Sequence, residues 1–175
     1  MAAVGAAPLV ALRHYRPQDF DATVRLWYEV GLAAHPYVSG RFSYADYAAY
    51  FRDVMSLGCA IWLAEVAERL AGFIILRGDY VDQLYVAVAH QRQGIGGVLM
   101  ARARVHSPAG LRLRCFVRNT NARAFYERLG FRAVDFGVSE EGEPEIRYRW
   151  LPPPQHRSNA GAAAGSTLRV AAASD

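Results

Sequence analysis

The residues with the clearest chemistry run from Gln91 to Gly97, Gln-Arg-Gln-Gly-Ile-Gly-Gly. Gly94, Gly96 and Gly97 have no Cβ, so ligand oxygens can come close to the backbone there. Leu84, Tyr85, Val86 and Val88 before the loop are strand formers. Ile95, Val98, Leu99 and Ala103 after it recur at helical spacing. A strand therefore feeds a glycine loop that opens a helix. The first N–H groups of such a helix are unpaired and sit at the positive end of its dipole. That is an anion site, and phosphate is its commonest occupant. Two phosphate loops are excluded. The Walker A loop needs a Lys, and the chain has none. The dinucleotide pattern G-x-G-x-x-G would need its third glycine where Leu99 stands. What remains is Gln91-x-x-Gly94-x-Gly96.

A second constellation spans Asn119 to Phe131, Asn-Thr-Asn-Ala-Arg-Ala-Phe-Tyr-Glu-Arg-Leu-Gly-Phe. Ala122, Phe125, Tyr126 and Leu129 share one helical face, which by itself makes Tyr126 a core residue. Its phenol, with an ordinary pKa of about 10, could also give up a proton to a reacting atom. Asn119 suits the N-cap of that helix.

The two segments together resemble the signatures of the GCN5-related N-acetyltransferase family. The first matches the loop that holds the pyrophosphate of acetyl-CoA. The second matches N-x-x-A-x-x-F-Y-x-x-x-G-F. Both stand in the family's order, and the likeness covers Leu9 to Trp150. It implies acetyl-CoA as co-substrate and direct acetyl transfer to an amine in a ternary complex, with positioning and polarisation supplying most of the catalysis. By resemblance, Gln91, Arg92, Gln93, Gly94, Ile95, Gly96 and Gly97 would hold the pyrophosphate, mainly through backbone N–H groups, with Arg92 adding a charge contact. Leu84, Tyr85 and Val86 would pair by backbone with the pantetheine arm, and the Val86 N–H would polarise the thioester carbonyl. Asn119 would touch the cofactor arm while capping its helix. Tyr126 would donate a proton to the departing thiolate. Val88 departs from the family's pattern, where many members carry Pro.

The amine must also lose a proton. Asp82, two residues before Leu84, falls on the same strand face by period-two alternation and could act directly or through water. Asp79 is the rival, and the plain alternative is that both are solvated strand-end acids. Members with a base Glu on the following strand carry it near Arg114 here, so Arg removes that option and argues against a ribosomal-protein N-terminal acetyltransferase. In the family, the loop after the first helix and the second helix wall the acceptor groove. That makes His35, Tyr37, Tyr44 and Tyr47 candidate substrate contacts, His35 and Tyr37 first among them, with ordinary packing the plain alternative for most of the four. His35-Pro36-Tyr37 is also similar to a group of small bacterial N-acetyltransferases.

The acceptor placed first is a small-molecule amine, with a protein lysine or N-terminus second. Two competing readings are a toxin-like aminoacyl-tRNA acetyltransferase and a non-catalytic acyl-CoA-binding sensor module. Composition bears on both. The formal charge is +4 and all 20 basic residues are Arg, scattered without a run, which argues against a nucleic-acid surface. The intact Tyr126 motif argues against a sensor. The five His show no zinc spacing and there is no Cys-x-x-Cys, so no metal is expected. Cys59 and Cys115 sit in apolar runs and read as reduced core thiols of a cytoplasmic protein. No apolar run is long enough to span a membrane. A monomer or homodimer is expected.

At 175 residues the chain fits one domain with a sizeable core. The boundaries expected are a flexible leader over 1–8, an N-acetyltransferase domain over 9–151 and a disordered Pro/Ala/Gly-rich tail over 152–175. The expected fold is α/β: a mixed, mostly antiparallel sheet of six or seven strands with helices on both faces. The pattern gives strands at Leu9–Arg13, Cys59–Val66, Leu70–Leu76, Val81–Val86, Leu111–Val117, Phe131–Val138 and Ile146–Trp150. It gives helices from Pro17 to about Gly31, from a Ser43 cap to about Leu57, after Gly94, and from Asn119 to Gly130.

Overall fold

The computed structural model describes residues 9–154. The leader expected over 1–8 and the tail beyond 154 lie outside the described residues. Seven strands form one sheet in the order β1-β2-β3-β4-β5-β7-β6. They are β1 (Val10–His14), β2 (Ala60–Val66), β3 (Arg69–Arg77), β4 (Tyr80–Val86), β5 (Leu111–Phe116), β6 (Arg132–Val138) and β7 (Pro144–Trp150). Every neighbouring pair is antiparallel except β4 and β5, which run parallel. The mixed, mostly antiparallel α/β fold expected from the sequence is the fold observed.

Strand alternation sorts the core into two layers. Ile61 and Leu63 of β2, with Phe73 and Ile75 of β3, pack under α1 (Phe20–Ala34) and α3 (Tyr44–Tyr50). Trp62, Ala64, Ile74 and Leu76 face the other way, under α4 (Ile95–His106) and α5 (Thr120–Arg128). β3 is covered on both faces, so Phe73 to Leu76 is a continuous apolar run rather than an alternating one. Each of those four side chains contributes roughly 1.5–3 kcal/mol by leaving water.

Several elements differ from the sequence pattern. The first helix begins as a 3-10 turn over Pro17–Asp19 and runs on through Gly31 to Ala34. Gly31 is tolerated because the helix packs tightly there: an added Cβ would meet the Tyr47 hydroxyl at 3.3 Å. The break after it holds a single turn, α2 (Pro36–Ser39). The second helix is α-helical only to Tyr50 and continues as a π turn, Phe51–Met55, closed by the Ser56 N–H on the Phe51 carbonyl at 2.8 Å; Phe51 and Met55 are both buried. Among the described residues no helix is long and apolar enough to cross a membrane.

Candidate functional site

The site begins where the sheet comes apart. β3 pairs with β4 as far as Gly72–Val86, and β7 pairs with β5 as far as Phe116–Glu145. Between β4 and β5 only Tyr80 and Arg112 are in register. Asp79 clamps this closed end: its carboxylate accepts from Arg112 Nε at 2.8 Å and Nη2 at 2.6 Å, and its carbonyl accepts from the Arg112 N–H at 2.9 Å. Beyond it the strands diverge. The edges at Asp82–Val86 and Arg114–Phe116 both line a groove of about 1270 Å³. Backbone groups on two such edges call for partners from a ligand or water.

The glycine loop lies along the same groove, and its three glycines have three different reasons. Gly94, the residue before α4, has φ +87°, a left-handed conformation that favours glycine. Gly96 packs closely, since an added Cβ would meet the tip of the Phe125 ring at 3.1 Å. Gly97 has nothing within 4 Å of an added Cβ, so this is the place where an outside group can approach. Arg92 also has positive φ, +60°, which side chains other than glycine adopt at some cost. The loop is tied down by Gln91, whose amide donates to the Val86 carbonyl at 3.1 Å. Gln93 turns away, donating to Ala89 at 3.0 Å, and its side chain does not line the groove. As the first residues of a 12-residue helix, Ile95, Gly96 and Gly97 present N–H groups with no intrahelical acceptor.

Tyr126 reaches the groove from α5. The helix is fixed at both ends. Asn119 Oδ1 accepts from the Ala122 N–H at 3.1 Å, so the cap expected from the sequence is present. At the other end Gly130 has φ +83°, its N–H bonds the Glu127 carbonyl at 3.0 Å, and the Phe131 N–H bonds the Tyr126 carbonyl at 3.1 Å. This is a Schellman closure, and it packs Phe131 edge-on against the Tyr126 ring, 5.7 Å between centroids. The Tyr126 side chain is 9% exposed. Burial, first, and then the nearby Cys115 and Tyr85 raise its phenol above the ordinary value. It holds its proton throughout the neutral range.

A family model of the acetyltransferase (GNAT) domain matches residues 58–133, the segment that carries the splayed strand, the loop and Tyr126. The peptidyl-lysine N-acetyltransferase YiaC of Escherichia coli (strain K12) is 28% identical over 131 residues, 74% of this chain and 88% of that protein. The chain carries a GNAT-domain match over residues 58–133. It is an acetyltransferase. The solution structure of apo-form YjaB from Escherichia coli has the same fold, with TM-score 0.66 at 22% identity over 83% of this chain and 99% of that one. The PaiA N-acetyltransferase from Thermoplasma acidophilum, solved in complex with coenzyme A, gives TM-score 0.62 at 16% identity over 81% and 99%.

The other end of this GNAT groove is less like the sequence expectation. His35 does line it, with Nε2 3.0 Å from the Tyr85 hydroxyl. Its Nδ1 is buried without a partner, and burial lowers its pKa. Tyr37 does not line the groove. Its ring packs edge-on against Phe116, 5.7 Å between centroids, and Arg118 lies over it at 5.0 Å. Tyr44 and Tyr47 do not line it either, and Tyr47 packs on Trp27.

Asp82 lines the groove but departs from strict alternation. Ile75 faces Gln83 and Leu76 faces Val81, so Asp82 is the extra residue of a β-bulge. Leu84 packs with the α4 side of the core, whereas the groups that feel the Asp82 charge include Tyr50 and Cys59 on the α1 and α3 side, besides Arg77 and Tyr80. The same-face argument therefore fails. The Asp82 carboxylate accepts from Arg77 at 3.1 Å and from Gln83 at 3.3 Å. Asp79, bound to Arg112 at the closed end, does not line the groove. The sequence reading missed Tyr50, Tyr80, Arg128 and Glu145, all of which line it. Glu145 falls between the last two strands expected from the sequence, behind Glu140, Glu141 and Glu143.

Proposed function

We propose that this protein moves the acetyl group of acetyl-CoA to a primary amine, with a protein lysine as the leading acceptor. The observation that carries the reading is the meeting, in one groove, of free helix N–H groups with an open glycine and a buried phenol that keeps its proton. Acetyl-CoA would supply an activated acetyl carbon. The coenzyme A held by a structural neighbour and the peptidyl-lysine activity named for the relatives support both halves of the reading. On that support a protein lysine is placed ahead of the small amine that came first from the sequence.

The residues then divide the work. The N–H groups of Ile95, Gly96 and Gly97 bind the pyrophosphate, aided by the helix dipole. The free edge at Leu84, Tyr85 and Val86 pairs with the pantetheine arm, and the Val86 N–H polarises the acetyl carbonyl. Asn119 caps α5 and offers its remaining amide to the arm. Tyr126 gives its proton to the leaving sulfur. Asp82, neutralised by Arg77, shapes the acceptor end.

Titration calorimetry of acetyl-CoA into the full chain, beside a Gly97→Glu variant, tests the cofactor half. Gly97 is the better position than Gly96, because a side chain there meets the ligand and not Phe125. Micromolar-range binding that the variant loses is the expected result. Absence of binding by the wild type overturns the reading. A thiol-release screen over lysine-bearing peptides and small amines then tests the acceptor half, with the peptides expected to turn over faster.

A further inference from the structure

Glu145 is the one charged side chain among the buried described residues, at 4% exposed. It lies near the start of β7, between Phe116 of β5 and Gly137 of β6. Ile146 and Tyr148 point into the core beneath α4 and α5. By alternation Glu145 points to the opposite face. That is the face where the Phe116 ring meets His35 and Tyr37, and Glu145 lines the groove there.

Its surroundings leave the carboxylate incomplete. Oε1 is closed off from solvent and receives no hydrogen bond from the described residues. Arg114 Nε stands at 3.5 Å and Arg147 Nε at 4.0 Å, and both guanidinium side chains are about half exposed. Arg147 is already engaged by Asp135 at 2.8 Å. Both guanidiniums are ion-paired with Oε1, but neither donates a hydrogen bond to it, so the oxygen keeps its capacity to accept one. Asp82, by contrast, has two donors within 3.3 Å. The charged and titratable groups near Glu145 are Arg114 of β5, Arg147 of β7, Asp135 of β6 through Arg147, and Tyr80 of β4. His35, at the end of α1, and Glu140 and Glu141, from the turn before β7, line the same groove.

We propose that Glu145 receives the ammonium group of the acceptor and takes the proton that must leave before the nitrogen can attack. This rests on the acetyl-transfer reading and deepens it: the acceptor enters as a cation from the α1 face, while Tyr126 waits on the α4 and α5 side of the gap. The step balances. Glu145 takes one proton from the ammonium, and the nitrogen lone pair forms the C–N bond to the acetyl carbon. The C–S bond breaks, and the sulfur takes the Tyr126 proton. A second proton leaves the nitrogen as the amide forms. Glu145 sheds its proton to solvent and Tyr126 regains one, so the net release is one proton per turnover.

The test uses the full chain carrying Glu145→Gln, with acetyl-CoA titrated by calorimetry and thiol release followed on a lysine-bearing peptide from about pH 6 to 9, where the free-amine fraction rises. Acetyl-CoA binding is expected to be unchanged. The peptide kcat/KM near neutral pH is expected to fall on the order of 10²–10⁴-fold, and the deficit to narrow as pH rises. Wild-type kcat/KM across that range, with acetyl-CoA still bound, would overturn the assignment. If Glu145→Gln melts early, Glu145→Asp keeps the charge beside Arg114 and Arg147 but withdraws the carboxylate by one methylene; wild-type turnover in that variant would also overturn it. No thiol release by the wild type on any amine would instead strike the transfer reading itself.

Discussion

The two ends of the groove are built from different materials. The glycine-loop end is almost all main chain: one left-handed glycine, one open glycine and three helix N–H groups within a single short segment. The acceptor end is all side chains, brought together from the end of α1 (His35), from α3 (Tyr50), from a bulge in β4 (Asp82) and from the start of β7 (Glu145). A main-chain site serves any ligand with the right phosphate, whichever acceptor is used. A side-chain site assembled from four distant segments can change its acceptor without disturbing the other end. The contrast predicts that substitutions at one end alter cofactor binding alone, and at the other alter turnover alone.

The hardest test of that separation is Gly97→Glu. A carboxylate set about 4 Å from a phosphate at an effective dielectric near 20 costs roughly 4 kcal/mol, so acetyl-CoA affinity should fall about a thousandfold. The fold should persist, because nothing lies within 4 Å of the added Cβ. An unchanged dissociation constant would remove the loop from the cofactor site. Next comes Tyr126→Phe, which leaves the packing against Phe131 and Phe125 in place. It is expected to lower kcat by on the order of 10²–10⁴ with acetyl-CoA affinity unaltered. Wild-type turnover would leave Tyr126 as a core residue and nothing more.

This division also decides what could be read from the sequence. The loop and α5 were legible because each is one contiguous segment. Gly130-Phe131 announces the closure that holds Tyr126, and Asn119 announces the cap. Gly96 was legible as a glycine but not for its reason, since its contact with Phe125 joins two helices far apart in the chain. At the acceptor end, period-two counting failed at Asp82 because a bulge adds a residue that β3 alone reveals. Glu145 was hidden for a related reason. It falls between the last two strands expected from the sequence, yet β7 starts at Pro144 and pairs Glu145 with Phe116 on one side and Gly137 on the other. Tyr37 has the right composition and neighbourhood but turns its ring behind Phe116, a choice of direction that residue type does not fix.

A smaller effect is expected from pH. Burial lowers the His35 pKa, so the folded chain binds this proton less readily than the unfolded one. His35 therefore contributes stability that is present above the unfolded value of about 6.5 and is lost as pH falls through the depressed folded value. The melting temperature should drop between neutral and mildly acidic pH. His35→Gln should flatten that drop while leaving acetyl-CoA affinity unchanged. A slope identical to wild type would mean that other groups set it.

The smallest effect is expected at the hinge between the two ends. Asp79 and Arg112 form a two-pronged ion pair where β4 and β5 still touch, with side chains 45% and 60% exposed. Arg112 holds the Asp79 carboxyl below the usual range, but water screens a pair this exposed. Asp79→Ala should therefore cost only about 0.2–1 kcal/mol in denaturant unfolding. The Arg112 N–H bond to the Asp79 carbonyl survives the substitution, so the strands should part at the same residue, and both acetyl-CoA affinity and turnover should stay at wild-type levels. A large loss of either would show that this clamp sets the width of the groove. The two ends would then be coupled through the closed end of the strands, and the separation between a generic cofactor site and a variable acceptor site would fail at its base.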